Sequence, residues 1–175
     1  MRWEQAGWRL IGVPDLEKPD HDVSRGVLRD VAVIGPDDVW LVGGVSWLME
    51  HEYDEEGEPR ERGRPVALHW NGKSWTCHWG PLGSSFPRPA WRTTTFHQAE
   101  PDGRGGLWVL GRRDLLWHLS GGRWIRHRVP APAGHTAEVA SLARRPGTSQ
   151  VYTVGSVILK KNASDVSHAA LWRAG

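Results

Sequence analysis

Four histidines fall in two segments that align without a gap, HWNGKSWTCHWGP (69–81) and HLSGGRWIRHRVP (118–130). Imidazoles at this density could carry acid–base work or ligate a metal. The alignment argues otherwise. His69 and His118 hold one position of the two segments, and His78 and His127 hold another. Repetition of a structural unit accounts for all four, and equivalent positions on neighbouring units point apart rather than into one site. The acidic run EHEYDEE (50–56) offers hard oxygens for a divalent cation, with His51 as an added ligand. It matches no EF-hand spacing and lacks the glycine of a tight calcium turn, so it reads as a solvated acidic loop. No metal site is expected. Asp37 and Asp38 pair two carboxylates ahead of an apolar run, where Asp is favoured by bonding nearby backbone N–H groups in a turn.

The chemistry that is missing narrows the field further. HExxH, GxSxG and Walker A motifs are absent. The glycines of GRGG (103–106) lead into an apolar strand rather than a helix, which excludes a dinucleotide loop. Cys77 is the single cysteine, so there is no internal disulfide and no Cys-based zinc site. It reads as a small packed or edge residue on a strand rather than a nucleophile. No catalytic residue and no cofactor is assigned.

The elements that position these residues are short strands in a repeat. DVWLVGG (38–44), GLWVLGR (106–112) and QVYTVGS (150–156) each place an aromatic three residues before a glycine. The N-terminal RWEQAGWRLIGVP (2–14) is a further copy of the two histidine segments. Val, Ile, Leu, Trp and Tyr fill runs of five to seven residues bounded by Gly, Pro, Asp and Ser, which is strand composition. NGKS and SGGR supply the positive φ angles of tight hairpins. Each unit therefore reads as four antiparallel strands, which in the first are roughly 28–34, 39–45, 65–70 and 74–79. Four-stranded units recurring every 40–50 residues or so are propeller blades. The expected fold class is all-β, a β-propeller-type array of about three blades, half of a six-bladed propeller. WD40 and kelch signatures are absent, so the pattern alone carries this expectation.

Within a single array spanning residues 1–175, residues 1–14 read as an outer hairpin and 27–82 as a blade. Residues 91–130 form a second blade, and 137–175 a third that lacks its outer strand. The ends are complementary: 8–13 is a spare outer strand. Three blades do not surround an axis, so two partners suggest themselves. One is a second copy, joined head to tail into a homodimer. The other is a set of missing N-terminal blades, which would make the chain a truncated fragment without independent activity. Charge favours the first pairing. Residues 1–87 hold 9 basic and 15 acidic side chains, a balance of −6; residues 88–175 hold 13 and 5, a balance of +8.

Twelve Trp in 175 residues, one at a fixed place in each unit, read as wedges between blades. Arginines of the basic half are scattered and no nucleic-acid motif is present, so nucleic acid is not an expected partner. No run of about 18 apolar residues exists to span a membrane as a helix. Residues 1–12 are polar and Trp-rich, unlike a secretion signal, so the chain as given reads as cytoplasmic.

LRDVAVIGPDDVWLVGG, ALHWNGKSW, DGRGGLWVLGR, SGGRWIRHRVPAP and RRPGTSQVYTVGSVILK resemble the repeats of Trp-rich β-propeller proteins of Streptomyces and related actinobacteria. The resemblance covers nearly the whole chain and implies a propeller fold in proteins that are usually longer and secreted. It implies no site residues, because the matching positions are structural.

In a four-stranded antiparallel blade, the loops joining strands two and three emerge on the same side as the blade-to-blade connections. The long connections here, 14–26, 46–64, 81–90 and 156–168, are of these two kinds. Long loops on a rigid scaffold are where binding concentrates. The candidate binding face therefore carries Trp47, Glu50, His51, Glu52, Tyr53, Asp54, Phe86 and Trp91. Its exposed aromatics would stack on a sugar ring or anchor a protein. The expected function is a non-catalytic binding or scaffold module for a protein or glycan. The alternative is a propeller-type glycoside hydrolase or lyase, for which the innermost strands offer only Asp30 and Glu138.

Overall fold

A computed structural model describes residues 10–16, 24–81, 95–111, 115–161 and 164–174. The described chain is all-β, with antiparallel sheets. The first sheet contains β1 (Ser24–Gly35), β2 (Asp38–Tyr53), β3 (Pro59–Trp70) and β4 (Trp75–Trp79) in sequence order. The second contains β5 (Gln98–Pro101), β6 (Leu107–Leu110), β7 (Leu115–Ser120) and β8 (Arg123–Arg128), again in order. The third is three-stranded, β9 (His135–Arg144), β10 (Val151–Lys161) and β11 (Ser164–Ala174). None of the three closes on itself.

Local chemistry sets the turns. Gly121 and Gly122, at φ 55° and 76°, make the two-residue β7–β8 turn. This is the left-handed pair that matches the strand twist. Between β3 and β4, Asn71 Oδ1 accepts from the N–H groups of Lys73 and Ser74, and Gly72 takes φ 87°.

The glycine that follows each aromatic has a specific cause in two of the three sheets. The β1–β2 register slips between Leu28 and Asp30, opposite Gly43, and the β9–β10 register slips beside Gly155. Each bulge pushes the inner strand toward its neighbour. A Cβ on Gly43 would lie 1.9 Å from Val27 O, and one on Gly155 would lie 1.9 Å from Glu138 O. No side chain fits there.

Two expected connections are not loops. Residues 47–64 form the outer part of a hairpin, because β2 runs on to Tyr53 and β3 begins at Pro59. Charge density suggested a solvated loop, yet a ribbon wet on both faces needs no apolar alternation. Cross-strand polar pairing holds it instead, and Arg62 bonds Glu52 across it. Residues 156–168 are likewise mostly strand, since β10 extends to Lys161 and β11 begins at Ser164. Residues 10–16, which include most of the expected spare strand, form no strand.

The sheets pack on one another in chain order. Trp40, Val42 and Ala67 of the first sheet share a core with Ala99, Leu107, Val109, Trp117 and Leu119 of the second, sealed by Phe96. Trp108, Leu110 and Leu116 of the second share another with Ala137, Val139, Leu142 and Val151 of the third. Innermost strands lie side by side, β1 against β5 and β5 against β9. One inner-strand position staples each junction. Asp30 Oδ2 accepts from Ala99 N at 2.9 Å. At the equivalent position, the Gln98 amide both donates to Leu142 O and accepts from Leu142 N. Indole N–H groups reinforce the outer rim, Trp124 donating to Trp79 O and Trp172 to Pro130 O.

Candidate functional site

The histidines converge in two pairs, each built on one tryptophan. Register places Trp40 opposite His69 and Trp108 opposite His118. The rings stack, with centroids 4.1 Å apart at 6° in the first sheet and 4.4 Å apart at 3° in the second. His78 leans on Trp40 at 5.4 Å, and His127 on Trp108 at 4.7 Å. Each stacked histidine is held by a carboxylate. His69 Nε2 lies 2.9 Å from Asp38 Oδ1, and His118 Nε2 lies 2.8 Å from Asp102 Oδ2. The third sheet breaks the pattern, since Tyr152 stands opposite Arg173.

Sequence reasoning assigned the histidines to repetition and missed this constellation. The signal lay in the hairpin itself. Positions 69 and 78 flank one turn on adjacent strands and share the face of Trp40, as 118 and 127 share that of Trp108.

Electrostatics differ between the two copies because burial differs. Asp102 is buried, at 6% exposure, and its Oδ1 also accepts from Arg104 N and Gly106 N. Burial raises its carboxyl, but the His118 hydrogen bond, the two backbone N–H groups and the His118 charge outweigh that and hold it below its usual range. His78 and His127 are lowered, first by burial and then by repulsion from His69 and His118 respectively. Nε2 of His127 is buried without a hydrogen-bond partner among the described residues, so protonation there gains no acceptor. The constellation resembles a relay, but its tryptophans are buried, at 2% and 8% exposure, within the cores between sheets. Its chemistry is positional: it fixes the ring orientation at each junction.

The expected binding face is dispersed. Trp47 lies on β2 and is only 8% exposed, so it is a packed residue and not a platform for a sugar. Its strand continues the parity of Val45, which is also buried. Phe86 and Trp91 lie outside the described residues. Glu50, His51, Glu52 and Tyr53 stay together at the end of the long hairpin. There β2 carries the residues 49–52 against residue 60 alone on β3, a wide irregularity in the ladder. Tyr53 is 55% exposed, and its hydroxyl donates to Glu50 O. Asp54 shapes the turn, its Oδ1 accepting from Glu56 N and Glu58 N, while Gly57 takes φ 82°. Among the described residues, no group of three or more His, Cys, Asp or Glu side chains could hold a metal ion.

The two inner-strand acids occupy separate places. Both oxygens of Asp30 are used, one by Val31 N and one by Ala99 N. Glu138 instead lines a cleft of about 800 Å³ between the second and third sheets, with Arg128, His135 and Asp165. This cleft draws its residues from β8 and the segment after it and from β9, β10 and β11, a grouping no local motif announces. Cys77 is exposed on the outer strand β4. Desolvation raises its thiol, against a smaller opposing pull from Arg64, so it is not an activated nucleophile.

Searches against protein-family models, curated proteins and solved structures return no match to the chain.

Proposed function

We propose that the three sheets are blades of a β-propeller-type array, half of a six-bladed ring, and that the chain is a non-catalytic binding or scaffold module for a protein or glycan. Adjacent innermost strands and a repeated inner-strand staple support the array. A meander that stacks radially brings equivalent inner strands together in this way. The observation that carries the binding reading is the pair of long hairpins. Equivalent connections, β2–β3 and β10–β11, are both extended, while the one between them, β6–β7, is short. In a propeller these hairpins rise on one side of the ring and flank a gap above the second blade. The β2–β3 hairpin ends in exposed His51 and Tyr53 among carboxylates. A hydrolase reading loses Asp30, whose carboxylate is committed to two backbone N–H groups.

Parallel glycan-array and peptide-array screens of the full chain test this reading. Binding should fall at least tenfold in the pair of variants Tyr53→Ala and His51→Ala. The thermal midpoint should not move, because both side chains are exposed. Signal indifferent to both changes, or none on either array, overturns it.

A further inference from the structure

The molecule makes the same sheet-to-sheet junction twice and presents the two halves of a third. On the covering side of each junction lie Trp40, Val42 and Ala67, then Trp108, Leu110 and Leu116. The matching positions of the third sheet are Tyr152, Val154 and Leu171 by register. Val154 is 46% exposed and Leu171 is 66% exposed. On the covered side lie Ala99, Leu107 and Leu119, then Leu142, Val151 and Ala174. The matching positions of the first sheet are Val31, Val39 and Trp70 by register. Val31 is 54% exposed, and its neighbour on the same face, Val33, is 68% exposed.

A second observation concerns the outer edge of the third sheet, where β11 pairs only with β10 among the described residues. By alignment with residues 77–81 and 126–130, residues 10–14 correspond in sequence to the end of an outer strand and its exit. Leu10, Ile11 and Val13 are apolar, form no strand, and are 97%, 68% and 39% exposed. The counterparts of Ile11 and Val13 in the second sheet are packed: His127 lies on Trp108, and Val129 is 6% exposed. Chain direction agrees as well. An outer strand always leads into the inner strand of the next sheet, β4 toward β5 and β8 toward β9. Residues 10–13 precede β1 in the chain, so by the same order they match the sheet before the first.

We propose that this preceding sheet is the third sheet of a second copy, so that two chains close head to tail into a six-bladed ring. This rests on the array reading above. In each of two identical junctions, residues 10–13 of one copy add to the free edge of β11 in the other. Ile11 packs on Tyr152, and the Val31 face covers Leu171 and Val154. Ser141, which holds the staple position of Asp30 and Gln98, faces the Val31 backbone. The junction joins the −6 portion of one chain to the +8 portion of the other. A heterologous contact repeated twice at half a turn closes; it covers both apolar faces and gives β11 the outer neighbour that β3 and β7 have in β4 and β8.

Light scattering over a dilution series, with cross-linking of cysteine pairs in a Cys77→Ser background, tests this. The wild-type mass should be twice 19.6 kDa. Ile11→Asp should raise the dimer dissociation constant at least tenfold, without altering the fold of a chain in which Ile11 is already exposed. A short bis-maleimide should join Ser141→Cys to Val31→Cys between chains, giving covalent dimers only. Gln98→Cys with Leu142→Cys should cross-link within one chain. Monomers at every concentration with that internal cross-link intact overturn the dimer and leave the array standing. Loss of the internal cross-link overturns both. A ladder of larger species overturns closure.

Discussion

Replacing Asp102 by alanine should be far more costly than replacing Asp38, although both hold a histidine against a tryptophan. Asp102 accepts three hydrogen bonds, from Arg104 N at 2.7 Å, Gly106 N at 2.8 Å and His118 Nε2 at 2.8 Å. Its side chain is 8% exposed, whereas that of Asp38 is 45% exposed. Hydrogen bonds to an ionised group contribute about 1.5–3 kcal/mol each, and a buried N–H left without a partner costs about 1–3 kcal/mol. These terms overlap, so Asp102→Ala should cost about 3–5 kcal/mol. Asp38→Ala removes one solvent-screened pair and should cost about 0.2–1 kcal/mol. Asp102→Asn, which keeps an acceptor for the two backbone N–H groups, should fall between. Urea unfolding followed by tryptophan fluorescence measures all three, since Trp108 and Trp40 sit on the affected rings. The midpoint should shift at constant denaturant slope. Asp102→Ala and Asp38→Ala agreeing within about 0.5 kcal/mol would refute the burial argument.

Two further outcomes follow from the same geometry. Gly43→Ala and Gly155→Ala set a Cβ 1.9 Å from a backbone carbonyl oxygen, which cannot swing away, and each should cost about 2–3 kcal/mol or more. Gly111→Ala meets nothing closer than Trp117 at 3.4 Å and should cost less than about 1 kcal/mol; equal thermal midpoints for all three would contradict this. Stability should also fall in two stages on acidification. The folded state lowers His78 and His127 below 6.5, so the unfolded chain protonates first and stability is lost as pH falls through that range. Asp102 lies below 3.8 in the folded state, so its contribution, present above that value, is lost as pH falls further. His78→Gln with His127→Gln should flatten the upper stage in a pH series of thermal midpoints, and an unchanged profile would contradict the assignment.

Much of the strand pattern was legible because it rests on short-range rules. Alternation and turn glycines place β4, expected at 74–79 and found at Trp75–Trp79, and the end of β3 at Trp70, although β3 begins at Pro59 rather than at 65. The hairpin beyond Val45 was not legible, because its charges pair across the ribbon and mimic a solvated loop. Trp47 was misassigned for the same reason: a tryptophan beside an acidic run looks exposed, yet its parity on β2 puts it with Val45. Glu50, His51, Glu52 and Tyr53 stay together on the hairpin because they are neighbours in sequence. The cleft around Glu138 does not share that advantage, since its lining is brought together only by sheet packing.

By itself, the sequence determined the all-β character and the recurrence of an aromatic three residues before a glycine. These follow from backbone sterics and two-residue periodicity, which act within a few residues. Only the tertiary structure decided what the repeated residues do. It stacks His69 on Trp40 and His118 on Trp108, commits Asp30 and Gln98 as staples, and leaves the outer faces of the first and third sheets open. Such roles depend on contacts between segments about 10–70 residues apart, as from Trp108 to His118 and from Asp30 to Ala99, and those between sheets are set by packing rather than by any pattern within one strand.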